Sequence, residues 1–375
     1  MGVAGGVKNL QWLFTATFFT MLAAVPLYGA LVARLPRRRF IPVVYHFFVA
    51  NLAIFWILLA LDVERLVVAR VFFVWISVFV LFAVSVFWSF MADLYRPEQG
   101  KRLYGFIAAG GSAGALAGPA ITIGLSQLIG AVNLLLVAML LLELAVFCAT
   151  RLEAKKGGAD EKPKEEKPLG GGAIDGLLMV LRSPYIAGIL LWVALGSVAA
   201  TFLYFEQAAI VAAASDDPAV RTRIFATVDL AVGLGTLLVQ FVATGKLIAR
   251  YGIGPALALT PLVFAAGFAV LAAYPLLAVV IAFQALQRTA NFAISNPARE
   301  ILFTVLARDE KYKAKNVIDI VATRGADAAG GWLVTGLRAL GMEARSLALS
   351  AIVVAAATLV LSIALGRAQE RRAGL

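Results

Sequence analysis

The chain has 375 residues, of which 62% are hydrophobic and 15% charged, far from the roughly 45–50% and 25% of soluble domains. Apolar runs of roughly 20 residues, the length that crosses a ~30 Å hydrocarbon core, recur along it and exclude a water-soluble interior. The formal charge of +11 is an orientation signal, because its basic residues collect on one set of connectors, and the single cysteine, Cys148, excludes an intrachain disulfide.

Length and breakers predict an all-α, polytopic membrane protein with about eleven transmembrane helices. The first half carries spans at 11–33, 41–60, 66–92, 103–126 and 130–150, and the second at 186–210, 224–248, 254–273, 277–299, 315–338 and 346–366. This predicts an N-terminal bundle of five spans over 1–150, a cytoplasmic charged linker over 151–182 and a C-terminal bundle of six spans over 183–375. The linker includes Glu161-Lys-Pro-Lys-Glu-Glu-Lys-Pro168, a composition that stays solvated and disordered. Arg34, Arg37, Arg38, Arg39, Arg96, Lys101, Arg102, Lys246, Arg250, Arg308, Lys311, Lys313, Lys315, Arg367, Arg371 and Arg372 share one side of the spans. The other side has Arg65, Arg221, Arg223, Arg338 and Arg345, mixed with Asp62, Glu64, Asp216, Asp217 and Glu343. The first side is therefore cytoplasmic, and the C-terminus lies there.

Two landmarks repeat in the same order. Arg96-Pro-Glu-Gln-Gly-Lys101 returns as Arg308-Asp-Glu-Lys-Tyr-Lys313, an offset of 212 (308 minus 96). Gly29-Ala-Leu-Val-Ala-Arg34 returns as Gly245-Lys-Leu-Ile-Ala-Arg250, an offset of 216 (245 minus 29). Two homologous halves running in one direction, in a chain this apolar, imply a transporter of parallel repeats with its substrate site at their interface. At that offset the span at 186–210 has no partner in the first half: either a first helix was lost, or, as we expect, Met1 is an internal methionine of a twelve-helix chain. Gly110, Gly114 and Gly118 have the spacing that lets membrane helices approach closely.

This arrangement resembles the major facilitator superfamily, whose basic loop signature is partly present in Gly29-Ala-Leu-Val-Ala-Arg34-Leu-Pro-Arg-Arg-Arg39 and Gly245-Lys-Leu-Ile-Ala-Arg250-Tyr-Gly252. Its acidic position is Ala33 and Ala249 here. The resemblance implies alternating access between two bundles of six helices, with Arg34, Arg250, Lys101, Arg102 and Lys313 in gating loops. A narrower resemblance covers about 85–125 and 290–335. Phe87-Trp-Ser-Phe-Met-Ala-Asp93 with Gly100-Lys-Arg-Leu-Tyr104, and Lys313-Ala-Lys-Asn-Val-Ile-Asp319-Ile-Val-Ala-Thr-Arg324, are similar to bacterial and plastid ATP/ADP exchange transporters. That implies NTP/NDP antiport across a bacterial inner membrane. One position departs: Asp327 stands where that family carries a lysine, and its charge opposes a polyphosphate.

The candidate substrate site follows from one helical face. Gln284, Gln287, Arg288, Asn291, Ser295 and Arg299 fall at i, i+3, i+4, i+7, i+11 and i+15. A charge at bilayer depth costs about 2.5–3.5 kcal/mol on insertion scales, so Arg288 should face water or a carboxylate. The other reading of this stripe is a polar seam bonded to neighbouring helices. Asn296-Pro297 frees backbone groups and should kink the helix there, which suits a gating helix. Ser197, Thr201 and Tyr204 make a second face, ending at Glu206-Gln207, and Arg324 completes the substrate set. Glu206, Asp229, Asp319 and Asp327 form the candidate coupling and charge network, with Asp229 open to proton coupling or to a pair with Arg288 or Arg324. Glu143 reads as a lone buried acid, and His46 as a packed polar residue.

Enzyme chemistry finds no footing: the chain has no Cys/His metal spacing, no His-Glu-x-x-His and no Gly-x-Ser-x-Gly. We therefore expect no cofactor, no metal and no nucleic acid. The expected partners are the lipid bilayer and a small hydrophilic, anionic solute, with nucleotides, other anions and protons left open. The alternatives are a membrane scaffold or sensor with a carrier fold, and an efflux carrier for amphiphiles.

Overall fold

The computed structural model describes residues 6, 9–34, 37–94, 97–156, 180, 182–307, 310, 314–315 and 317–374. These are helical almost throughout, with no strand among them. In chain order the rods are α1 (Leu10–Arg34), α2 (Arg37–Ala60), α3 (Arg65–Leu94), α4 (Pro97–Leu125), α5 (Leu134–Lys156) and α6 (Pro184–Ala214). There follow α7 (Pro218–Tyr251), α8 (Ile253–Ala273) and α9 (Leu277–Val305). The last two are α10, a π-helical stretch Val317–Ala322 running into Thr323–Ala339, and α11 (Ala344–Ala373). Each expected span has its rod. Among the described residues, eight rods are long and apolar enough to cross a membrane; α1 and α4 supply the shorter apolar stretches Leu10–Ala24 and Ala109–Leu125. The remaining rod, α10, is less apolar because Asp319, Arg324, Asp327 and Arg338 lie on it.

Local chemistry sets the ends. Ser183 caps α6 by accepting from the Ile186 amide, and Pro184 starts the helix with the fixed φ that a first turn needs. Gly252, at φ +82°, separates α7 from α8 and returns its N–H to the Ile248 carbonyl. Between α2 and α3 the tight turn is made instead by Asp62 and Glu64, both at positive φ.

Two contact units divide the chain: 1–6 with 19–168 and 217–223, and 7–18 with 169–216 and 224–375. The first unit is tied by aromatic rings. Phe48, Phe55, Phe72, Trp75 and Phe79 pack mostly edge to face, with Trp75 and Phe79 stacked at 5.3 Å. Tyr45 donates to the Ala83 carbonyl at 3.0 Å, and Trp56 to Asn133 Oδ1 at 3.0 Å, which pins α2 to α3 and to the start of α5.

In the second unit the tightest approach joins α8 and α11, where the backbones of Gly254 and Gly366 touch and a Cβ on Gly366 would overlap Gly254. α6 lies on α10 at Gly330, whose missing side chain admits Val198 Cα and Thr201. The first half of α1 belongs here too: Gly331 faces Gln11, Trp332 donates to Thr15 Oγ1 at 2.9 Å, and the Trp12 and Trp332 rings meet edge to face at 4.8 Å.

Three expectations change. A methyl on Gly110, Gly114 or Gly118 would meet nothing within 4 Å, so the close helix contacts are made at Gly330, Gly331, Gly254 and Gly366. The connector expected from residue 151 begins later, since α5 continues through Lys156; residues 157–179 lie outside the described residues. Glu143 is neither alone nor buried. It meets His46 across α2 and α5 at 3.2 Å, both side chains about half exposed.

Candidate functional site

The polar stripe of α9 is shared among four neighbours. Gln284 donates through Nε2 to Gln207 Oε1 on α6 at 2.7 Å. One turn on, Arg288 Nη1 donates to Asp229 Oδ1 on α7 at 2.5 Å. Ser295 and Thr260 of α8 share a hydroxyl–hydroxyl bond at 2.7 Å. Finally Arg299 contacts Asp319 of α10 at 3.3 Å.

The reason lies in the backbone. Pro297 has no N–H to return to the carbonyl four residues earlier, that of Ala293, and its ring crowds that carbonyl. The chain takes a π-helical turn over Asn291–Ser295 just before it. One extra residue per turn advances everything beyond by about 100° relative to an α-helix, so Ser295 and Arg299 leave the face of Gln284 and Arg288. The freed Ala293 carbonyl accepts the hydroxyl of Thr244 at 2.8 Å. Thr244 sits in a second π-helical turn, Gln240–Thr244 on α7, and Gln240 Nε2 reaches the Phe292 carbonyl at 3.4 Å.

Every arginine of α9 and α10 meets an acid. Besides Arg288 with Asp229 and Arg299 with Asp319, Arg324 Nη1 donates to Asp327 Oδ2 at 3.3 Å, and Arg338 Nη2 to Glu206 Oε1 at 3.0 Å. Pairing offsets the few kcal/mol that a bare arginine would cost at this depth. The Arg299 group is larger: Glu300 lies 3.6 Å away and is itself held by Lys315 at 2.6 Å. Arg299 Nε and Asp319 Oδ1 are buried without a hydrogen bond among the described residues. Arg288 and Asp229 stay partly open, with 36% and 46% of their side chains exposed.

The second face is more structural. Thr201 is buried and donates to the Ser197 carbonyl at 2.9 Å, and Tyr204 packs edge to face on Phe14 at 5.5 Å. Asn291 sits in the first position of the π-turn, half-buried. Of the residues expected in gating loops, Arg250 is in the last turn of α7, exposed and over the Tyr251 ring at 5.6 Å. Arg34, Lys101 and Arg102 have helical backbone and not loop backbone; their side chains, and Lys313 altogether, lie outside the described residues. Sequence reasoning missed Gln207 as the mate of Gln284, Arg338 as the mate of Glu206, and the Glu300–Lys315 link. For Gln207 a signal existed, since it follows Tyr204 at i+3 on the polar face of α6.

A family model for the Major Facilitator Superfamily matches residues 5–311. The chain belongs to the major facilitator superfamily. Its fold is similar to that of the nucleoside transporter NupG (TM-score 0.59, 14% identity, covering 98% of this chain and 90% of that one) and of a point mutant of NupG (0.58, 13%, 98% and 90%). It is also similar to a bacterial homolog of the human lysosomal transporter Spinster, in an inward-facing and unoccupied conformation (0.56, 14%, 99% and 96%). Identities this low speak for the fold alone. No curated protein sequence matches significantly. Membership makes this facilitator a multi-pass membrane protein. Neither the family match nor the solved structures carry the narrower resemblance to nucleotide exchangers.

Proposed function

We propose that the chain is a secondary active transporter that moves a small hydrophilic, anionic solute by alternating access, in a bacterial inner membrane with its C-terminus cytoplasmic. The observation that carries this reading is the Arg288–Asp229 pair. It joins two apolar helices, and both side chains are a third or more exposed. Charged side chains within spans face the bundle interior or a water-filled cavity, and a pair left partly open there can exchange partners.

The arginine has two candidate anions, Asp229 and the solute. When a solute carboxylate or phosphate takes the guanidinium fork, Asp229 loses its counter-charge. A proton on the Asp229 carboxylate then restores neutrality, so anion and proton move together and leave together. With no proton taken up, the solute can only be replaced by another anion, which is exchange. Asp229→Asn separates the two: it should abolish uptake driven by a pH gradient while leaving counterflow of the same solute in place.

The sequence likeness to ATP/ADP exchangers, together with a fold similar to that of a nucleoside transporter, favours a nucleotide-related anion as the narrower form. Asp327 within 3.3 Å of Arg324 reduces the positive charge available to a polyphosphate and favours a singly or doubly charged solute. Counterflow into proteoliposomes against nucleotides, phosphorylated metabolites and carboxylates tests the reading. Loss of all flux in Arg288→Ala supports it, and parental flux in that variant sinks it.

A further inference from the structure

The arginines of α9 and α10 are all paired, but the amides beside them keep hydrogen-bonding capacity left over. Gln287 is 6% exposed, its stem packed, and neither amide atom has a hydrogen-bond partner among the described residues. Those atoms keep some accessible surface. Gln207 and Gln284, 4% and 7% exposed, share one hydrogen bond at 2.7 Å. A carboxamide has two donor hydrogens and two acceptor lone pairs. That single bond leaves the Gln207 NH2 and the Gln284 carbonyl oxygen without a hydrogen-bond partner among the described residues, and neither atom is sealed. Three nearly buried amides on two helices, each with donor or acceptor capacity left over, exceed what a packing seam asks for.

We propose that Gln207, Gln284 and Gln287 read a planar donor–acceptor edge, an amide or a nitrogen heterocycle, on the same solute whose anionic group meets Arg288. This rests on the transport reading above. A free amide donor on one residue and a free amide acceptor on its hydrogen-bonded neighbour match the N–H and C=O of an imide or lactam, whereas an ionised carboxylate only accepts. Gln284 and Arg288 are four residues apart on α9, a rise of about 6 Å. The solute class is therefore a small anion with its heterocyclic or amide edge roughly 6 Å from its charge. Arg288 takes the charge that all such anions share, and the amides supply the specificity among them.

Three probes separate the parts on purified full-length protein: orotate has both edge and charge, benzoate the charge alone, and uracil the edge alone. The parental chain should bind orotate about tenfold or more tighter than benzoate, the equivalent of one or two hydrogen bonds. Gln287→Leu should bring that ratio close to one with benzoate binding unchanged, which also reports an intact fold. Gln207→Leu with Gln284→Leu, which removes both members of the pair and strands neither, should do the same, and uracil binding should vanish in both. Orotate bound no tighter than benzoate by the parental chain, or a ratio that survives both variants, would overturn the assignment. If Arg288→Ala binds both acids as the parent does while the amide variants change the ratio, the anion reading at Arg288 falls and the amide site stands.

Discussion

The hydroxyl of Thr244 bonds the Ala293 carbonyl at 2.8 Å, the acceptor that Pro297 leaves free. It also lies 3.2 Å from the Val239 carbonyl in its own π-turn. The hydroxyl has one proton to donate, and the shorter bond, to Ala293, joins the C-terminal part of α7 to the π-turn of α9.

Thr244→Val keeps the shape and removes the donor. We predict a loss of about 1–3 kcal/mol, the cost of stranding a buried acceptor, seen as a lower unfolding temperature in detergent. Thr244→Ser should recover most of it. An unchanged unfolding temperature in Thr244→Val would mean that the π-turn acceptor is satisfied otherwise.

The Glu206–Arg338 pair is asymmetric, the acid 7% exposed and the arginine 34%. Arg338→Ala strands a buried carboxylate and should cost about 3 kcal/mol or more. Glu206→Gln leaves a partly exposed arginine beside an amide oxygen that can still accept from it, and should cost about 1 kcal/mol. The double variant should be more stable than Arg338→Ala alone, as read from a double-mutant cycle of unfolding temperatures. Equal losses in the two single variants would contradict this ordering.

Glycine substitutions should divide sharply. Gly366→Ala pushes a methyl into the Gly254 backbone, which close-packed helices cannot absorb, and folded yield should fall. Gly114→Ala meets nothing within 4 Å and should leave yield unchanged. Size-exclusion profiles after membrane extraction give the comparison, and comparable losses in both would contradict it.

The repeat predicts topology. Arg96 and Arg308 should face the same aqueous compartment. Arg96→Cys and Arg308→Cys, each in a Cys148→Ser background, should both be labelled by a membrane-impermeant maleimide from one side. Labelling from opposite sides would end the parallel-repeat reading.

The helices were legible in the sequence because lipid imposes length: twenty apolar residues between charged connectors leave one option for the backbone. The ion pairs were legible only in part. A charge such as Arg288 announces that it needs a partner, but Asp229, 59 residues away, is one of several acids, and spacing cannot choose among them. The phase of α9 was misjudged beyond Asn291 because an α-helical period was carried through a π-turn. A kink was the expectation at Asn296-Pro297; the structure has a π-turn over Asn291–Ser295, which moves Ser295 and Arg299 onto other neighbours. Gly114 and Gly330 show the same limit: spacing marks both as small, and packing decides which one is used.

The most direct test of the account is solute uptake into proteoliposomes by the parental chain and by Arg288→Ala, Arg288→Lys and Asp229→Asn. We predict no uptake for Arg288→Ala despite normal insertion. Arg288→Lys should recover a part, since lysine keeps the charge but lacks the planar fork. Asp229→Asn should retain exchange and lose the response to a pH gradient. Parental uptake in Arg288→Ala would contradict the central claim that this arginine holds the solute.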